Sequence, residues 1–88
     1  MSHDDDAEQI SLSQLRDSGV LPGQIYKHYK GDEYLVTAVG LNEADLEPLV
    51  HYRRADDPYA IVWTRTLAVF MGRTLDGETL VTRYVQIS

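Results

Sequence analysis

Turn signals recur along this chain at intervals of roughly 8–15 residues, and that spacing constrains its fold more than any other feature. Pro22-Gly23 is a breaker pair, and Lys30-Gly31-Asp32 carries a glycine free to take positive φ. Residues 55–59, ADDPY, hold a proline that cannot donate to a ladder, and Asp76-Gly77 is the strongest hairpin signal in the chain. Short runs with strand alternation lie between these turns: residues 24–29, 33–39, 49–53, 60–65 and 79–87. Residues 66–72 fit either a helical turn or a bent strand. No helix long enough for a crossover separates the strands, so antiparallel pairing is expected. The expected fold is mainly β, a small and strongly bent antiparallel sheet or partly open barrel of about five strands.

The chain before Pro22 reads differently. Residues 1–9 are acidic and polar and are expected to form a disordered tail, with His3 beside Asp4, Asp5 and Asp6 solvated rather than holding a metal. Residues 10–21 are expected to form one short N-terminal helix. Ser11 and Gln14 have capping-box spacing, Ile10, Leu12 and Leu15 make an apolar stripe, and Gly19 suits a left-handed helix end. Such a helix is marginal alone and must dock on the sheet. Residues 22–88 make a single small β domain with a thin core.

The net charge of −6 is concentrated at the N-terminus; residues 24–88 carry seven basic side chains against nine acidic ones. That near-balance argues against a clustered basic face for a phosphate backbone, so nucleic acid is not the expected partner. Absence of cysteine excludes a disulfide scaffold, a thiol nucleophile and a cysteine-ligated zinc. No apolar run approaches the ~20 residues of a membrane span, and the start lacks the pattern of a secretory signal. A cytoplasmic protein is expected, and no motif calls for a cofactor.

The run Tyr26-Lys27-His28-Tyr29-Lys30-Gly31, followed by Tyr34 and Val36, resembles the opening of a bacterial family, domain of unknown function 1653. Val50-His51-Tyr52-Arg53 resembles that family's valine–tyrosine strand. Trp63, Thr64, Arg65 and Phe70 match a later segment, and Arg83-Tyr84 matches its close. The resemblance spans roughly residues 22–85. Thr66 stands where the family pattern has proline, and the preface at 10–21 lies outside the resemblance. The resemblance implies a compact SH3-like β-barrel and no established biochemical activity.

Candidate site residues follow from chemistry. His28 shares a strand face with Tyr26; its bland reading is a half-buried ring tied to a carbonyl or a tyrosine, its sharper one a ligand contact. Trp63 and Arg65, at i and i+2, can hold a planar anion, or else form a core tryptophan beside an arginine paired with Glu33 or Glu47. Arg83 falls in a row with Val81, Val85 and Ile87, where a cation needs a partner or a ligand; Tyr84 would then face away. Six tyrosines against one phenylalanine suit both a thin core and a wet recognition surface. A groove lined by Lys30, Arg53, Arg54 and Arg65 would be locally positive.

The expected site joins Tyr26, His28, Tyr29, Lys30, Tyr52, Trp63, Arg65 and Arg83 as ligand-binding residues, with no catalytic or metal residue assigned. The leading reading is a binding or interaction module whose aromatic–basic face engages a small ligand or protein partner. Two alternatives stand beside it. One is a small enzyme using His28 with a tyrosine or a loop carboxylate, which no nucleophile at recognisable spacing supports. The other is a binder of single-stranded nucleic acid.

Overall fold

The structure, a computed structural model, describes residues 5–88. Its elements run α1 (Asp5–Ser18), β1 (Ile25–His28), β2 (Glu33–Leu41), β3 (Pro48–Arg54), β4 (Trp63–Thr66), α2 (Leu67–Phe70), β5 (Arg73–Asp76), β6 (Thr79–Thr82) and β7 (Tyr84–Gln86). Five strands form an antiparallel sheet in the order β4-β3-β2-β1-β7, and β5 pairs with β6 in a separate small sheet. The larger sheet ends at β4 and β7, which do not pair with each other, so no barrel closes.

The expected turns form where glycine permits them. Gly31 (φ 109°) turns β1 into β2, and Gly77 (φ 63°) turns β5 into β6. The β1–β2 turn is tied at both ends: the His28 N–H donates to the Asp32 carbonyl at 2.8 Å, and the Gly31 N–H to the His28 carbonyl at 2.8 Å. On β2 the pairing register slips between Val36 and Ala38, a bulge that strict alternation does not anticipate.

Several boundaries differ from the sequence reading. α1 begins at Asp5 rather than at residue 10, so part of the expected tail is helical and Ser11 lies in the helix interior instead of capping it. Acidic residues at a helix start complement its partial positive charge, so Asp6 and Glu8 favour the helix. Residues 1–4, including His3, lie outside the described residues. β4 begins only at Trp63, because Asp57 holds the loop before it: its side chain accepts from the Tyr59 N–H at 2.9 Å and its carbonyl from the Ala60 N–H at 3.1 Å.

The expected last strand, 79–87, breaks at Arg83. β6 pairs with β5 and β7 with β1, and the Arg83 N–H donates to the Gly72 carbonyl at 3.0 Å. The face alternation therefore restarts, and Arg83 does not share a row with Val85 and Ile87, which are both half exposed. Residues 66–72 resolve as a helical turn, with Thr66 as its N-cap: Thr66 Oγ1 accepts from the Val69 N–H at 3.3 Å. A proline at that position would lack this acceptor.

α1 packs on β2 and β3, and α2 packs on β3 and β4. Between these helices and one end of the sheet face lies the core. Val20, Val36, Val50 and Phe70 are fully buried there, with Leu15, Leu67, Tyr26, Tyr52 and Tyr84 around them. Phe70 stacks on Tyr84 (4.4 Å, 10°) and meets Tyr26 edge-on (5.0 Å, 76°). The helices cover only part of this face.

Candidate ligand-binding cleft

The strand periodicity that puts Val50 in the core carries Tyr52 onto the same face two residues along β3, where its ring lies 5.5 Å from that of Phe70 at the edge of the core. Cross-strand pairing then builds an aromatic row, since Tyr52 lies opposite Trp63 and His28 opposite Tyr84. These groups line an open cleft of about 650 Å³, joined by Tyr34 from β2, Arg65 from β4, and Lys30 and Asp32 from the β1–β2 turn.

The rings hold one another edge to face. Tyr34 meets Tyr52 at 5.5 Å and 86°, Tyr52 meets Tyr84 at 5.6 Å and 65°, and His28 meets Tyr84 at 5.0 Å and 70°. Their polar tips are linked as well. Arg65 Nε donates to Tyr52 Oη at 2.9 Å, and the Tyr84 hydroxyl donates to the same oxygen at 3.3 Å. Tyr52 Oη accepts both bonds and keeps its own proton to donate. Burial pushes the Tyr84 hydroxyl well above the ordinary tyrosine range, reinforced by its bond to Tyr52.

His28 is held as a neutral ring. Its Nδ1 accepts the Lys30 backbone N–H at 3.1 Å, which leaves the ring proton on Nε2. Burial lowers its pKa, and the charges of Lys30, Arg65 and Arg83 lower it further, against a smaller opposing pull from Asp32. The bond to Tyr52 raises the pKa of Arg65, so its positive charge is secure.

The acid in the cleft is engaged elsewhere. Asp32 pairs with Arg54 at 3.4 Å, and Arg54 also pairs with Asp56 at 3.3 Å. These pairs are half exposed and contribute little to stability, but they set Asp32 against a cation outside the cleft. Among the described residues no salt bridge involves Lys30, Arg65 or Arg83. Arg83 Nε is buried without a hydrogen-bond partner.

Of the eight expected site residues, His28, Lys30, Tyr52, Trp63 and Arg65 line the cleft together. Tyr26 does not: it is buried in the core with its hydroxyl on Gln24 Oε1 at 3.0 Å. Tyr29 lies behind the lining, its ring 4.4 Å from that of His28. Arg83 is absent from the lining, although its charge reaches His28. Tyr84 takes the place on that face that the sequence reading assigned to Arg83.

Neither bland reading of the β4 pair holds. Trp63 is 51% exposed rather than a core residue, and Arg65 meets a tyrosine rather than Glu33 or Glu47. Arg53 is turned to the loop, donating to the carbonyls of Arg54 and Asp57. Asp32, Tyr34, Thr64 and Tyr84 complete the lining and lie outside the expected set.

The family model described as "Protein of unknown function (DUF1653)" matches residues 24–86. A crystal structure of a DUF1653 protein from Bordetella bronchiseptica is similar to this chain with a TM-score of 0.63 and 28% identity, over 77% of this chain and 87% of that one. No curated protein matches. The matched span contains every residue that lines the cleft and leaves α1 outside it.

Proposed function

We propose, on the premise that the chain belongs to the DUF1653 family of proteins of unknown function, that it is a small binding module whose open cleft takes up a ligand with a flat face. One observation carries this reading: Tyr34, Tyr52, Trp63, Tyr84 and the His28 ring line a single open cleft together with Arg65. Leaving an indole half in water forgoes roughly 1 kcal/mol of burial. A ligand stacked on Trp63 would recover it. The ring contacts and the hydroxyl chain hold the cleft walls in place before anything binds, which lowers the ordering cost of binding.

Catalysis finds less support in the same geometry. His28 Nδ1 is occupied by a backbone N–H, and the Thr64 hydroxyl is bonded to His51 at 2.8 Å. Trp63 is the sole tryptophan, so its fluorescence and its indole N–H resonance both report on the cleft. A titration of the 15N-labelled chain with metabolites, short peptides and oligonucleotides should shift the Trp63 indole and the 30–34 amides with a small ligand. Shifts confined to other surfaces would defeat the reading.

A further inference from the structure

We infer that the ligand of this cleft is an anion with an aromatic body, its ring placed against Trp63 and His28 and its negative group received by Arg65 and Lys30. The inference rests on the binding reading above and adds the charge class of the ligand.

It stands on three observations. Arg65 is anchored through Nε to a tyrosine hydroxyl, a neutral partner that orients a guanidinium without cancelling its charge. Lys30 lines the same cleft, and the one lining carboxylate, Asp32, faces Arg54 across an ion pair. Arg83 stands close enough to bear on His28, with a buried Nε that has no hydrogen-bond partner among the described residues. A chain of net charge −6 thus gathers two cations in the lining and a third beside it, none of them in a salt bridge among the described residues. Arg65 and Arg83 are partly buried, and such cations cost free energy unless something answers their charge, whereas Lys30 is exposed with its ammonium 5.8 Å from the Tyr29 ring centroid and is free to turn to a ligand. His28, kept neutral, adds a donor at Nε2 rather than a fourth cation, and Tyr52 adds its hydroxyl proton.

A carboxylate suits the planar fork of Arg65. The aromatic body follows from the walls, since ring edges and faces rather than aliphatic groups line the opening. A bare inorganic anion would use the cations and leave Trp63 uncovered.

The test titrates the 15N-labelled full chain with 2-naphthoate, with the uncharged 2-naphthamide and with inorganic phosphate. Saturable shifts of the Trp63 indole and the 30–34 amides are expected with naphthoate, at about tenfold or greater preference over the amide, the worth of one charge-assisted hydrogen bond. Arg65→Lys should retain part of that preference and Arg65→Met should abolish it. Lys30→Met, at an exposed position outside the core, should weaken naphthoate about threefold without a change in fold. Equal binding of amide and acid would overturn the anion inference and leave the binding module standing. Phosphate shifts without naphthoate shifts would keep a charge site but overturn the aromatic ligand. Silence from all three would overturn both readings.

Discussion

One face of one sheet carries two different surfaces. Under α1 and α2 it is aliphatic and closed, with Val36 and Val50 buried against Leu15, Val20, Leu67 and Phe70. Further along it is aromatic and opens to solvent, with Tyr34, Trp63 and His28 around Arg65 and the buried Tyr52 and Tyr84 shared between this cleft and the core. The strands are the same and the alternation is the same, so periodicity does not separate the halves. Side-chain chemistry does. Valine and phenylalanine gain only by leaving water, whereas tyrosine, histidine and arginine each keep a polar tip that must be satisfied. Where those tips are linked in a chain, the face can stay uncovered without losing order. The covered half also draws Leu15 and Val20 from outside the family match, whereas the open half lies wholly within it.

The contrast breaks most severely at Phe70, where the two halves touch through its stacking on Tyr84. Phe70→Ala should cost about 3–5 kcal/mol, enough to unfold much of so small a domain. Urea unfolding followed by circular dichroism measures it, and a loss under about 1 kcal/mol would mean the core does not depend on this ring.

Leu15→Ala should cost about 2–3 kcal/mol and leave the Trp63 indole resonance in place, because Leu15 belongs only to the covered half. If the indole shifts as far as in Phe70→Ala, the halves are one unit rather than two.

Tyr84→Phe keeps the stacked ring and removes only the hydroxyl. Its expected cost is about 1 kcal/mol, together with a looser Arg65 seen as faster exchange of its Nε proton. An unchanged Arg65 signal would show that the hydroxyl chain does not orient the guanidinium.

The smallest effect concerns pH. His28 has a folded pKa below its ordinary value of 6.5, so the unfolded chain binds the extra proton first. Stability from this site is complete above about pH 6.5 and falls as the pH drops through the lowered folded value. His28→Gln should flatten that decline, as read from urea midpoints between about pH 5 and 7. A variant that declines as steeply as the parent would assign the slope to other groups.

Much of the fold was legible because it depends on neighbours in the chain. Gly31 and Gly77 take positive φ in turns that their own sequence context demands, and Val50 and Tyr52 face inward by simple alternation. The site was legible in its residue types and only partly in its membership. Alternation puts Tyr26 on the face of His28, yet its hydroxyl turns to Gln24 Oε1 and its ring stays in the core, outside the cleft lining. Arg83 was preferred to Tyr84 because residues 79–87 read as one strand, and the Gly72 carbonyl interrupts that strand.

The sequence by itself determined the antiparallel strands, the turns that join them and the aromatic and basic side chains available to one face. Such features rest on backbone preferences and on a two-residue period, both of which act over a few neighbouring positions. Only the tertiary structure decided which end of that face the helices cover, and hence that Tyr26 serves the core alone while Tyr52 and Tyr84 serve both core and cleft. That choice depends on contacts between residues far apart in the chain, such as Phe70 on Tyr26 and Arg65 on Tyr52, and no local pattern records them.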